Sequence, residues 1–206
     1  MRTDRLPGEP DRDAFDQWVF YGLLGLLLWA PLPLGSNRAW AVGLLLLGSV
    51  ALLAGTCWAW RGRLDRAAVR VAKFRVPIGL LLLMLLLCWL QTLSLPASFV
   101  SLLSPQAALV QGSASFMTFS LDVAQTRLMT ALTFVYFTVF TVAVLTVRSN
   151  TRMDLVARAL VASAVFQVVF GAVMLSLKAQ YQIFFVEVLH DRMRGTYVYH
   201  NSLAGY

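Results

Sequence analysis

Five apolar blocks, each about as long as a bilayer is thick, follow one another along the chain at 15–34, 39–60, 76–95, 128–147 and 155–177. A helix needs about 20 consecutive apolar residues to cross roughly 30 Å of hydrocarbon, and a soluble core does not accommodate a succession of such helices. Composition leaves the same choice. Of 206 residues, 59% are hydrophobic and 13% charged, against about 45–50% and about 25% in soluble domains. The expectation is an all-α fold: a polytopic helical membrane protein with about five transmembrane helices plus an interfacial amphipathic helix. The first block is too long for the core of a signal peptide and no A-x-A cleavage site follows it, so it reads as a retained span.

The segments between the blocks divide the chain. Residues 1–14 mix both charge signs with Pro7, Gly8 and Pro10, the composition of a cytoplasmic tail. Residues 15–177 form the five-span bundle, with a cytoplasmic segment at 61–75 and an outer loop at 96–127. Residues 178–206 form an outer segment leading into a truncated sixth span. Only residues 35–38 separate the first two blocks, which makes them a tight helical hairpin. With the N-terminus inside, the inner segments 1–14, 61–75 and 148–154 hold eleven Lys and Arg and the outer segments hold five, the asymmetry that sets N-in orientation. The net charge of +7 would suggest nucleic acid for a soluble domain. Here six of the basic residues fall in 61–75, where orientation and lipid headgroups account for them. Nucleic acid is therefore excluded as a partner, and membrane lipids are expected as one.

Within 61–75, Leu64, Ala67, Ala68, Val71 and Phe74 share one helical face and the basic residues take the other. That pattern predicts an amphipathic helix lying at the interface, against the plainer alternative of a solvated basic loop. The outer loop 96–127 holds several apolar side chains and one basic residue, Arg127, and should dip back onto the membrane. Asp122, three residues before Gln125, reads as a helix cap. Pro77 sits at the first turn of the third block, where its missing N–H costs nothing. Cys57 and Cys88 lie in successive blocks at depths about 13 Å apart at 1.5 Å per residue, too far for a disulfide. Ala51 with Gly55, and Ala159 with Ser163, have the small-xxx-small spacing that lets helices approach. Thr130, Thr133 and Thr141 in the fourth block and Gln167 in the fifth fit either a polar track or interhelical hydrogen bonds.

Polar and aromatic residues crowd together only after the fifth block. Arg192, Arg194 and His200 are donors able to hold an anionic group such as a lipid-linked pyrophosphate. A positively charged loop with an aromatic belt of Tyr197, Tyr199 and Tyr206 accounts for the same residues. Residues 195–206, GTYVYHNSLAGY, resemble the G-T-F-x-N-x-N-x-hydrophobic-A-G-Y signature of the bacterial O-antigen ligase and polymerase family. Residues 91–105 (QTLSLPASFVSLLSP) and 119–126 (FSLDVAQT) are similar to family segments in order and spacing, as is the fifth block with Ala159, Gln167 and Gly171. Gly195, Thr196, Asn201, Ala204, Gly205 and Tyr206 match the signature; Tyr199 and His200 depart from it where Asn and Arg are common. The resemblance covers 15–206 and only the N-terminal half of a typical member.

The resemblance implies a glycosyltransferase of the bacterial inner membrane. Such an enzyme transfers glycan from undecaprenyl pyrophosphate to a lipid A core, another glycan or a protein hydroxyl at the periplasmic face. It implies no metal and no cofactor, because the lipid pyrophosphate is itself the activated leaving group. Arg192, Arg194, Thr196, His200 and Asn201 are the expected substrate-binding residues; no catalytic residue is assigned. The family's large outer loop would lie beyond Tyr206, so this chain alone is expected to be inactive. A non-enzymatic scaffold or transporter-like subunit, or an inactive truncated gene product, is the alternative.

Overall fold

The computed structural model describes residues 12–32, 39–62, 64–112 and 114–177. These fold as an all-α helical bundle. Its elements are α1 (Arg12–Trp29), α2 (Ala39–Trp60), α3 (Leu64–Lys73), α4 (Arg75–Leu90), β1 (Leu95–Pro96), α5 (Ala97–Leu103), α6 (Pro105–Gln111), β2 (Phe116–Met117), α7 (Val123–Thr146) and α8 (Asn150–Ser176). Three helices, α2, α7 and α8, are long and apolar enough to cross a membrane; the count is four if the bent pair α3–α4 forms one span.

Two blocks make shorter helices than their apolar lengths suggested, each for a local reason. The first runs 12–29 rather than 15–34, because Pro31 and Pro33 cannot continue a helix. It begins earlier and takes in Arg12, Asp13 and Asp16. The third block ends as helix at Leu90 rather than 95, where a turn through Gln91 and Thr92 leads into β1. At its other end α4 meets α3 at an angle of 87°. Pro77 accounts for the break. It has no N–H to give the Lys73 carbonyl, and its ring would clash with that carbonyl in a continuous helix. Pro77 thereby occupies the first turn of α4, as its position in the sequence predicts.

The centre of the bundle is shared by α1, α2 and α7, through Val19, Leu23, Leu52 and Val142 with Leu26, Leu27, Val139 and Ala143 around them. Glycines bring α1 and α2 close. A Cβ on Gly22 would lie 2.8 Å from Leu52 Cδ2, one on Gly48 2.7 Å from Leu26 Cδ1, and one on Gly55 3.2 Å from Val19 Cγ2. The small face of α2 is thus Gly48 and Gly55, and Ala51, which the spacing had paired with Gly55, is exposed. On α8, Ser163 is buried and Ala159 half-buried, in line with their small-residue spacing.

Polarity is arranged inside out. The buried residues of α8 are Ser163, Gln167 and Gly171, and those of α7 include Thr133, Thr138 and Thr146. Leu160, Val161, Val165, Phe166, Val169 and Val173 of α8 point outward, and α4 buries no residue at all. Water penalises such a surface and hydrocarbon does not. These are candidate membrane-spanning helices by surface as well as by length.

Candidate functional site

The residues expected to bind substrate, Arg192, Arg194, Thr196, His200 and Asn201, lie outside the described residues, as does the outer segment 35–38. The unit between α4 and α7 is described. It is built from the two segments that resemble family features. Leu95 and Pro96 pair antiparallel with Met117 and Phe116. The Ser120 N–H donates to the Gln91 carbonyl at 3.1 Å. Val100, Ala107 and Met117 form a small core, with Leu95, Ala97, Ala108 and Phe119 packed on it. Pro105 opens α6 at a position where a missing N–H is harmless.

Side-chain hydrogen bonds fix the return strand. The Gln111 amide donates to the Thr118 carbonyl at 2.6 Å while its oxygen accepts from the Thr118 N–H at 3.0 Å. The Thr118 hydroxyl donates to the Ser120 carbonyl at 2.6 Å, and the Ser120 and Thr126 hydroxyls lie 2.7 Å apart. Asp122 then caps α7 by accepting from the Gln125 N–H at 2.9 Å, the role its spacing predicts. Segments 91–105 and 119–126, separated in the chain by residues 106–118, are one folded piece. The two-residue strand pair has no signature in the sequence.

The opposite end of the bundle carries a charge cluster. Asp16, almost fully buried, accepts from both Arg148 and Arg152 through Oδ2, the latter at 2.8 Å. Arg152 also donates to the Thr146 carbonyl, and Arg70 donates to the Val144 carbonyl at 3.3 Å. Val144 and Thr146 belong to the last turn of α7, whose carbonyls lack helical partners and carry the negative end of the helix dipole. Two arginines therefore cap that helix. Arg148 lies 5.2 Å from the Trp60 ring and Arg152 4.9 Å from the Phe20 ring. Both contacts are in cation–π range. Ser149 caps α8 by accepting from the Arg152 N–H at 3.2 Å.

Helix α3 forms as the 61–75 pattern predicts, and Ala67 and Val71 pack on Ala59, Trp60 and Leu145. Phe74 meets Phe140 edge-on at 6.4 Å. Arg70 is expected on the basic face opposite the apolar one; its guanidinium instead reaches α7, at the Val144 carbonyl. The polar residues within the spans divide. Thr130 and Thr133 donate to the carbonyls of Thr126 and Met129, each at 2.8 Å, so their hydroxyls are satisfied within α7. Thr138, which was not singled out, is fully buried, as is Gln167.

Cys57 and Cys88 are free thiols. Among the described residues, no group of three or more His, Cys, Asp or Glu could hold a metal ion. Comparison of the chain with protein-family models, with curated proteins and with solved structures finds no match.

Proposed function

We propose that the chain is the N-terminal part of an O-antigen ligase-like glycosyltransferase of the bacterial inner membrane. In this reading it crosses the membrane about five times, with its N-terminus cytoplasmic. The observation that carries the reading is the fold of 91–122: the two segments similar to the family in sequence are hydrogen-bonded into one unit, directly before α7. The five-span count adds α1 and α4 to the three long helices. Their 18 and 16 residues reach about 27 and 24 Å at 1.5 Å per residue, short of the roughly 30 Å core but extended by the turns that follow them. The orientation is supported by Arg61, Arg66, Arg70, Lys73, Arg75, Arg148 and Arg152, which gather at the end where α2 and α7 finish and α4 and α8 begin. Arg127 is the single basic residue at the other end among the described residues.

The chemistry proposed for the parent enzyme breaks the bond between the sugar's anomeric carbon and the undecaprenyl pyrophosphate oxygen. The anomeric carbon bonds to an acceptor hydroxyl oxygen of a lipid A core or another glycan, the pyrophosphate oxygen leaves with the electron pair of the broken bond, and the hydroxyl's proton passes to water. Arg192, Arg194 and His200 would hold the departing pyrophosphate, with Thr196 and Asn201 hydrogen-bonding beside them. Cations aimed at developing charge supply the largest catalytic term in such reactions. Two outcomes test this. The 206-residue chain given lipid-linked glycan should transfer none, and transfer by it would refute the partial-enzyme reading. In a longer protein that contains it, Arg194→Ala should reduce transfer about 10²-fold. Unchanged turnover removes Arg194 from the site, and a longer protein with no transfer at all favours the scaffold or transporter-like alternative.

A further inference from the structure

We propose that the unit formed by residues 91–122 is a membrane-embedded wedge, its apolar face seated at the hydrocarbon boundary of the leaflet opposite the basic end. The inference rests on reading the long helices as spans. Between Arg75 and Asp122 the chain has no Asp, Glu, Lys, Arg or His, so residues 76–121, which make up all of α4 after its first residue and the unit up to its last, are continuously uncharged. Within the unit, Phe99, Leu102, Leu103, Leu109, Val110 and Phe116 are exposed, Leu102 at 78% and Leu109 at 81%. These side chains are not a core waiting to close. The interior is already filled by Val100, Ala107 and Met117, with Phe99 and Phe119 edge-on at 6.4 Å.

The backbone is prepared for the same environment. Non-helical chain survives at membrane depth only where its polar groups are paired within the protein. Here the turn, the strand pair and the return segment pair Gln91, Leu95, Pro96, Thr118 and Ser120 internally, through the Gln111 clamp and the Ser120–Gln91 bond. The exposed face also continues a surface of the same kind: Leu86, Leu87, Trp89 and Leu90 of α4 point outward and lead directly into it. α5 and α6, seven residues each, are about 10 Å long at 1.5 Å per residue. They are too short to cross and suited to lying along the boundary. A specific protein partner would be read by polar and charged groups at the rim of its contact; across 76–121 this surface offers uncharged polar side chains such as Ser98, Ser101 and Gln106, and no charge. Hydrocarbon asks for none.

The test uses the full chain with Cys57→Ser and Cys88→Ser, carrying one new cysteine at a time at exposed positions: Leu102→Cys and Leu109→Cys in the unit, Leu83→Cys on α4, and Arg66→Cys on α3. Each is labelled with a fluorophore in lipid nanodiscs and challenged with aqueous iodide and with lipids carrying a nitroxide at shallow or deep acyl positions. The expected result is loss of fluorescence at 102 and 109 with the shallow nitroxide and little with iodide, at 83 with the deep nitroxide, and at 66 with iodide. Quenching of 102 and 109 by iodide alone, with 83 still quenched by lipid, would overturn the wedge and leave the span reading standing. Protection of 102 and 109 from both quenchers means that protein covers them, and overturns it too. If 83 also escapes the lipid nitroxides, the span reading falls with the wedge.

Discussion

Asp16 decides how three helices meet. One carboxylate oxygen takes two arginines, with side-chain exposures of 6% for Asp16, 30% for Arg148 and 19% for Arg152. The arginines have other partners: Arg152 the α7 terminus, Arg148 and Arg152 an aromatic ring each. Asp16 has none, since its second oxygen, Oδ1, is buried without a hydrogen bond. Removing the acid therefore strands two partly buried cations beside one another. Asp16→Ala should lower stability by about 3 kcal/mol, the lower end for breaking a buried ion pair, because Arg148 keeps water contact. Arg148→Gln should cost about 1 kcal/mol, since Arg152 still pairs with the carboxylate. Reversible unfolding in mixed detergent micelles would measure both, and equal costs would show that the two arginines do not share the load as the geometry says. This lock was hidden in the sequence. Asp16 stands at the edge of an apolar block, and its partners are 132 and 136 residues away, so no local spacing joins them. The available signal was a lone acid opening one span and two arginines flanking the turn between two others.

At the scale of elements, short-range spacing places a cap, an amphipathic helix and a helix-breaking proline, while two helix ends and one distant pairing differ from it. The cap at Asp122, the amphipathic helix α3 and the placement of Pro77 each depend on residues within four positions of one another. The ends of α1 and α4 depended on Pro31 and on the turn at Gln91, signals present in the sequence but outweighed by apolar length. The pairing of 91–96 with 116–120 depends on the intervening α5 and α6, and their apolar residues read only as a loop that returns to the membrane. Gln111 is the side chain that joins the two arms. Gln111→Ala removes both bonds to Thr118 and leaves a partly buried N–H and carbonyl unpaired, at a cost of about 1–3 kcal/mol. The opening is local, so the Thr118 amide should exchange hydrogen about tenfold faster or more while amides in α7 stay unchanged. Acceleration along all of α7 would mean that the unit and the span unfold together, and no change would mean that the strand pair holds the return segment without the clamp.

The molecule as a whole has two unlike ends joined by helices with apolar outsides. One end collects arginines and lysine around the α7 terminus and the amphipathic α3; the other is a prefolded unit with exposed leucines and no charge before Asp122. If the long helices cross a bilayer, that difference orients them, because cations are retained on the cytoplasmic side and exposed apolar faces partition into lipid. Orientation then follows from two positions that bracket the helices in question. Lys73 lies at the end of α3, before α4; Arg127 is the fifth residue of α7, just after the unit. If α4 crosses and the N-terminus is inside, the two face opposite compartments. With the native thiols replaced by serine, Arg127→Cys should react with an impermeant maleimide in intact spheroplasts, and Lys73→Cys only after permeabilisation. The reverse pattern would turn the chain over and put the uncharged unit in the cytoplasmic leaflet, where a periplasmic glycan transfer could not use it. Labelling of both in intact spheroplasts would show that α4 does not cross, making the bent α3–α4 pair a re-entrant element instead of a span.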